Sequence, residues 1–355
     1  MKQKKPFTQK LNNILFFLLG ILAVVIAGVI FINFQTNATG SEQKDYVVKD
    51  DTQAGETKKT DGLSSSVEKW QEGTITYNEK KYVYNTSIET YLLMGIDNDE
   101  PVSTAKDSVS GGQSDAIFLL VANKETQQMS IISINRNTMT PIEIYDENGK
   151  DLGEMTAQLC GQHGFGDGKK LSCSRTVNAV SKMFYNLPIS GYMSINMGAI
   201  GDINDAIGGV EVNVLQDINV PAKDVDLKKG QTKTLNGNEA YCYLKNRDIT
   251  QFESATDRLR RQEQYLNGFI SKAQSQNQAN SALAMDIYNS AADYLVTDID
   301  FTELVSTLMG YGYSDDRMYT VPGETVKGDK YEEFNIDNQA FYDMVIQIFY
   351  KEADK

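Results

Sequence analysis

From Ile14 to Ile32 the chain runs for nineteen residues without a charge, nearly all of them large apolar residues, Ala or Gly. Coiled as a helix at about 1.5 Å per residue, such a run matches the hydrocarbon thickness of a bilayer. Lys2, Lys4, Lys5 and Lys10 precede it with no acidic residue among them, so the positive-inside rule holds the N-terminus in the cytoplasm and carries everything after Phe34 outside. Residues 35–68 are rich in Gln, Asn, Thr, Gly, Ser, Lys and Asp with few large apolar groups, so they cannot bury a core and read as a tether. The expectation is a single-pass protein of the cell membrane. It has a cytoplasmic N-terminus (1–12), a transmembrane helix (13–34), an extracytoplasmic linker (35–68) and an extracytoplasmic domain (69–355). A cleaved signal peptide is the competing reading, but the run is longer than the apolar region of such a peptide and no clear small-x-small cleavage pattern follows.

Beyond the tether no low-complexity break and no internal repeat interrupts the chain, which favours one domain to the C-terminus. With 41% apolar composition over 355 residues it can bury a sizeable core. A net charge of -14 supplies no general basic face, which argues against nucleic acid as a partner and obliges any anionic substrate to meet a local cluster of Arg and Lys. His163 is the one histidine, so a His-rich zinc site is excluded and a Ser-His-Asp or Cys-His apparatus would rest on that residue alone. It lies in Gly161-Gln162-His163-Gly164-Phe165-Gly166, which reads as a mobile loop. An oxidising exterior permits disulfides. Cys160 and Cys173 bracket a loop rich in Gly and Lys and are expected to pair, which would stabilise the fold by roughly 3 kcal/mol in the chain-entropy model. Cys242, inside the apolar run Ala240 to Leu244, reads as a small buried hydrophobe.

Strand-like segments open the domain: Lys81 to Tyr84, then Thr90 to Ile96, followed by the polar loop Asp97 to Gln113. Ala116 to Ala122 and Met129 to Ile134 are apolar runs separated by polar Asn123 to Gln128. That is a hairpin pattern, and its near-continuous apolarity suits strands covered on both faces. Val177, Val180 and Phe184 recur at helical spacing, whereas Val210, Val212 and Val214 alternate as in a strand. Ala240 to Leu244 reads as a further strand, and helices are expected over Thr256 to Ala273, Ala282 to Leu295, Phe301 to Met309 and Asn338 to Tyr350. Strands and helices interleaved in this way point to an α/β sandwich around a mixed sheet.

In an antiparallel hairpin the first residue of one strand lies beside the last of its partner, so Asp115 and Arg136 should share one sheet end. Asp97 leaves the preceding strand directly after Ile96 and joins them if that strand pairs in the appropriate sense. Two carboxylates and a guanidinium there would suit a magnesium ion holding a diphosphate; taken singly, each residue also suits an ordinary turn. Downstream, Lys245, Arg247, Arg258, Arg260 and Arg261 place five cations within seventeen residues of an acidic chain. At about 100° per residue, Arg258, Arg261, Gln262 and Tyr265 share one helix face, with Leu259, Leu266 and Ile270 a quarter-turn away. The apolar stripe should dock and the arginine face should be presented. Near a helix N-terminus an anionic ligand is favoured by these cations and by the macrodipole together; a solvated charged face is the bland alternative.

Six blocks in order, Leu92-Leu93-Met94-Gly95-Ile96-Asp97, Ser114-Asp115-Ala116-Ile117, Ser133-Ile134-Asn135-Arg136-Asn137-Thr138, Ala206-Ile207-Gly208-Gly209-Val210-Glu211-Val212, Leu235-Asn236-Gly237-Asn238-Glu239-Ala240 and Arg258 to Gln262, resemble the LytR-CpsA-Psr family of cell-envelope proteins. The resemblance covers about residues 85 to 355. It implies an α/β/α sandwich with a central mixed β-sheet behind one N-terminal transmembrane helix, with a greasy pocket for a polyprenyl chain. It also implies a phosphotransferase that moves an anionic glycopolymer, such as teichoic acid or capsule, from polyprenyl pyrophosphate to peptidoglycan. Asp97 and Asp115 match the family's magnesium carboxylates, with manganese as the alternative ion. Arg136 matches its pyrophosphate arginine, and Arg247, Arg258, Arg261 and Gln262 match the remaining phosphate-handling group. The chain departs from the family at Asn137, where Asp is usual, and at Lys245, where Arg is common; Asn can hydrogen-bond but holds no charge and Lys is a point donor rather than a fork, and both, with Gln262, are expected to bind substrate. The implied step is attack by an acceptor sugar hydroxyl on the phosphoryl group nearer the polymer. Two other readings use the same residues: a non-catalytic envelope-binding or regulatory protein, motivated by Asn137, and a pyrophosphatase that releases the glycan to water.

Overall fold

Alternate residues of the central strands enter two different cores, which makes these strands the middle layer of the molecule. Ile117, Leu119 and Val121 pack into one apolar cluster, and Phe118, Leu120 and Ala122 into another. The same division holds for Leu92, Met94 and Ile96 against Tyr91, and for Ile132 and Ile134 against Met129 and Ile131. Strands covered on both faces need continuous apolar sequence rather than strict alternation, as these have. The structure, a computed structural model, describes residues 74–277, 283–300 and 310–353. The expected transmembrane helix and linker, and the expected helix from Phe301 to Met309, lie outside the described residues. Among the described residues no helix is long and apolar enough to cross a membrane.

Six strands form the central sheet: β1 (Ile88–Ile96), β2 (Ser114–Asn123), β3 (Gln128–Ile134), β4 (Gly191–Asn196), β5 (Leu295–Thr297) and β6 (Met318–Thr320). Their order is β5-β4-β1-β2-β3-β6. The pairs β1–β2, β2–β3 and β4–β5 are antiparallel and β1–β4 and β3–β6 parallel, so the sheet is mixed, as expected. One face is covered by helix α1 (Lys170–Met183), through Val180 and Phe184, and by helix α4 (Asn338–Phe349), through Phe341, Val345 and Phe349. On the other face lies helix α3 (Ser254–Asn277), through Leu259, Leu266 and Ile270. Each such side chain contributes roughly 1.5–3 kcal/mol when fully buried, so this stripe fixes how α3 lies on the sheet.

A third apolar cluster joins Val210, Val212, Leu227 and Leu235 to Tyr243 and Leu244, and carries helix α2 (Gly237–Lys245) alongside α3. The expected strand over Ala240 to Leu244 is therefore a helix. Its start is set by a capping box: Asn236 Oδ1 accepts from Glu239 N–H at 3.0 Å and Glu239 Oε2 accepts from Asn236 N–H at 3.1 Å. Together the two bonds satisfy donors that a helix start otherwise leaves open. The expected strand over Val210 to Val214 is present as Glu211–Asn213.

Two further expectations are corrected. The segment around His163 is a short 3-10 helix, Leu159–Gly164, with the histidine fully buried rather than on a mobile loop. Cys160 and Cys173 are both free thiols. The two point to different partners: Cys160 Sγ accepts from Arg136 Nη2 at 2.9 Å, while Cys173 donates to Ser194 Oγ at 3.3 Å. Burial pushes the Cys173 thiol up to about 12. Cys242 is buried and free, as its sequence context suggests.

Candidate functional site

The β2–β3 register pairs Ile117 with Ile134, and two residues beyond that pair lie Asp115 and Arg136. The two residues share one sheet end, as expected, and they form an ion pair there, with Arg136 Nε 2.9 Å from Asp115 Oδ1. The contact is close but out of line for a hydrogen bond, and both atoms are buried without one. On the β1 side a bulge between Gly95 and Ile96 places Ile96 opposite Ser114, and Asp97 N–H donates to Gln113 C=O at 2.9 Å. Asp97 thereby reaches the same end of the sheet. Gln113 Oε1 and Cys160 Sγ both accept from Arg136 Nη2, which holds the guanidinium in place.

Helix α3 closes over this end. Arg258 Nη1 donates to Asp115 Oδ2 at 2.7 Å, so one carboxylate lies between two guanidiniums. Arg261 Nη2 donates to Asn246 C=O, and Gln262 Nε2 donates to Leu244 C=O at 3.3 Å. These carbonyls belong to the C-terminal end of α2, where backbone acceptors lack helical partners and a cation is favoured by the dipole. The arginine face that the sequence led us to expect at the surface is instead inside: Arg258 is 4% exposed and Arg261 1%. Burial lowers both guanidiniums, Arg258 against the pull of Asp115 and Arg261 to about 10. Both remain cations at neutral pH. Among the described residues Arg258 Nη2 and Arg261 Nε have no hydrogen-bond partner, and an unsatisfied buried donor costs about 1–3 kcal/mol, more when charged.

Arg261 and Arg247 line a cleft of about 280 Å³ together with Asn246, Asp248, Ser254 and Asp257. Asp257 spends its oxygens on Gln216 and Arg260, each at 2.8 Å, and Asp248 Oδ1 accepts from the Thr250 hydroxyl at 2.6 Å. Both carboxylates are therefore tied into the walls of the cleft. Asn137 is buried, its N–H donating to Asn135 Oδ1 at 2.9 Å and its C=O accepting from Phe334 N–H at 2.9 Å, so its backbone supports the turn that carries Arg136.

Lys245, at the end of α2, faces the loop after β1. Its Nζ lies 2.8 Å from each oxygen of Asp99 and 3.6 Å from Asp97 Oδ1. Burial pulls Lys245 down, but its bonds to Asp99 and Tyr241 outweigh this and leave it above the usual lysine value. For Asp99, burial pushes upward and the bonds from Lys245 and Tyr241 win, holding the carboxyl below its usual range. Sequence reasoning missed Asp99 and Tyr241. Their only signal was the i, i+4 spacing of Tyr241 and Lys245, which the strand assignment concealed.

The donor set suits a divalent cation in one respect that can be tested on these residues. Asp115 Oδ1 is a buried carboxylate oxygen with no hydrogen bond among the described residues, though Arg136 Nε stands 2.9 Å from it, and Asp97 is a half-exposed carboxylate with Lys245 Nζ 3.6 Å away. Among the described residues no three or more His, Cys, Asp or Glu side chains group to cage a metal.

The model of the LytR_cpsA_psr family matches residues 32–348. A protein of Enterococcus faecalis named polyisoprenyl-teichoic acid--peptidoglycan teichoic acid transferase TagU is 26% identical over 254 residues, 70% of this chain and 74% of that protein. A protein of the same name from Bacillus licheniformis is 24% identical over 286 residues, 79% of this chain and 87% of that protein. The crystal structure of B. subtilis TagV has the same fold, with a TM-score of 0.56 over 74% of this chain and 96% of that one at 20% sequence identity.

Proposed function

The chain belongs to the LytR_cpsA_psr family, and on that premise we propose that it is a phosphotransferase that moves an anionic glycopolymer of the teichoic acid or capsule type from polyprenyl pyrophosphate to peptidoglycan. The work is done outside the cytoplasmic membrane, to which residues 13–34 anchor the domain. One observation carries this reading: Arg258 Nη2 and Arg261 Nε are buried guanidinium donors without partners among the described residues, the second on a cleft it shares with Arg247. A diphosphate has the charge and the number of acceptor oxygens to satisfy them. The transferases of E. faecalis and B. licheniformis supply the substrate class by likeness.

In the proposed step an acceptor sugar hydroxyl attacks the phosphorus nearer the polymer. The bridging P–O bond breaks, its electron pair leaves on polyprenyl phosphate, and the hydroxyl proton passes to solvent. Arg136, Arg258 and Arg261 are held by packing before the substrate arrives, so they offset charge on the phosphate oxygens without reorganising, and Arg247 adds to them from the cleft wall. Gln262 and the backbone of Asn137 position the arginines beside them, and Lys245 adds a cation at the Asp97 side. Asp97 and Asp115 Oδ1 would hold magnesium, or manganese in its place, which supplies further neutralisation of the diphosphate. Asp257 and Asp248, engaged as described, orient the cleft.

The test uses the full chain in nanodiscs with magnesium, a short glycan on polyprenyl pyrophosphate and uncrosslinked peptidoglycan, with glycan linkage followed by mass spectrometry. The native chain should give linked product. Arg261→Met should give on the order of a hundredfold less, while its fold survives because Met fills similar volume and removes a charge buried without full pairing. Free glycan phosphate in place of linked product would make the protein a hydrolase. Bound lipid with neither product would make it a binding protein without turnover.

A further inference from the structure

Asp99 belongs to no part of the phosphate-handling group, yet two side chains one turn apart on α2 converge on it. Tyr241 donates its hydroxyl to Asp99 Oδ1 at 2.8 Å, and Lys245 Nζ reaches both carboxylate oxygens at 2.8 Å. The loop that carries Asp99 is fixed. Asn196 Nδ2 donates to Glu100 C=O at 2.8 Å, and the chain at Gly198 passes so close that a Cβ there would lie 2.0 Å from Asp99 C=O. Lys223 Nζ stands 4.3 Å from the centre of the Tyr241 ring and helps to hold that ring in place.

The ammonium of Lys245 has three donors, and Asp99 takes two of them. The next carboxylate oxygen is Asp97 Oδ1 at 3.6 Å, an ion-pair distance that stops short of a hydrogen bond and that a small change in the lysine torsions would close. We propose that Asp99 is a positioning residue for the cation site: with Tyr241 it ties Lys245 to itself, keeps the ammonium from closing onto Asp97 as a hydrogen-bonded pair, and so leaves the Asp97 oxygens available to a divalent ion. This rests on the reading of Asp97 as a metal carboxylate. Without the charge of Asp99, Lys245 would turn to Asp97 and compete with the ion for one carboxylate, and a unit charge facing a divalent ion about 4 Å away is repulsive enough to weaken binding on the order of tenfold.

The experiment measures Mn2+ affinity by the electron paramagnetic resonance of free Mn2+, on the full chain in nanodiscs with a short polyprenyl pyrophosphate present. Asp99→Asn should weaken binding about tenfold, which is ~1.4 kcal/mol, and the deficit should shrink in high salt as the charges are screened. Adding Lys245→Met to Asp99→Asn should restore the native affinity, which a merely structural role for Asp99 would not allow. Native affinity in Asp99→Asn, or a double variant that stays weak, overturns the proposal. Glycan transfer is followed on the native chain in parallel. Transfer with an unaffected Asp99→Asn removes this inference alone, whereas no Mn2+ binding together with no transfer removes the functional reading and this inference with it.

Discussion

Asp115 and Asp97 stand at one end of adjacent strands, but their surroundings are opposite. The Asp115 side chain is 6% exposed between Arg136 and Arg258, while that of Asp97 is 46% exposed with the Lys245 ammonium 3.6 Å away. Both carry the same charge, so burial and partners set what each charge does. At Asp115 it is spent mainly on the fold, because two guanidiniums in a dry site need a counter-charge. At Asp97 it faces solvent beside Lys245, where the proposed divalent ion would use it. The sharpest way to break this comparison is Asp115→Asn, an isosteric change that leaves two buried cations facing an amide. It should destabilise the domain by about 3–5 kcal/mol in urea unfolding. A loss under about 1 kcal/mol would mean that water already solvates the arginines and that the two carboxylates differ less than their surroundings imply.

The buried side of the site extends through Cys160 to His163, and there the comparison can be sharpened by pH. Nδ1 of His163 lies 3.2 Å from Gly112 C=O, which can only accept, so Nδ1 carries the proton and Nε2 faces Cys173 Sγ at 3.8 Å. Burial lowers the imidazole below its usual value, against smaller upward pulls from the Gly112 and Gly111 backbone. Above about pH 6.5 the ring is neutral in both folded and unfolded chains and costs nothing; below it the unfolded chain takes up a proton that the fold refuses. Stability should therefore fall as the pH drops below about 6.5, by up to about 1.4 kcal/mol per unit, and His163→Gln should flatten that slope. Asp99, Asp226 and Asp248, whose folded values are held below the ordinary carboxylate range, act only below about pH 4.

How far the site was legible in the sequence follows the same division between local and distant contacts. The Asp115–Arg136 pair could be read from the chain because a hairpin's register is set within twenty residues or so of sequence. The docking of α3 through Leu259, Leu266 and Ile270 could be read from helical period alone. Burial of Arg258 and Arg261 could not, since it depends on carbonyls at Leu244 and Asn246 and on a carboxylate 143 residues away. Nor could the orientation of the two thiols, which Arg136 and Ser194 decide. The helix Gly237–Lys245 is different, because its Asn236-Gly237-Asn238-Glu239 start has a cap residue with Glu three positions on. That local signal was present, and the apolar run Ala240 to Leu244 was given more weight than it could bear at five residues.

Asp97→Asn should produce the smallest change in stability and is the most exacting test of the contrast with Asp115. Its side chain makes no hydrogen bond within the fold, its N–H bond to Gln113 C=O needs only the backbone, and Lys245 keeps both bonds to Asp99 when Asp97 loses its charge. An exposed substitution of this kind is expected to lie within about 0.5 kcal/mol of the native chain. Mn2+ affinity should nevertheless fall more than tenfold, since one of two carboxylates offered to the ion is gone. A coincident urea curve with unchanged Mn2+ binding would leave Asp115 Oδ1 and the diphosphate as sufficient ligands. A loss of more than about 1 kcal/mol would instead make Asp97 a structural carboxylate, and the division of labour between the two strand ends would have to be abandoned.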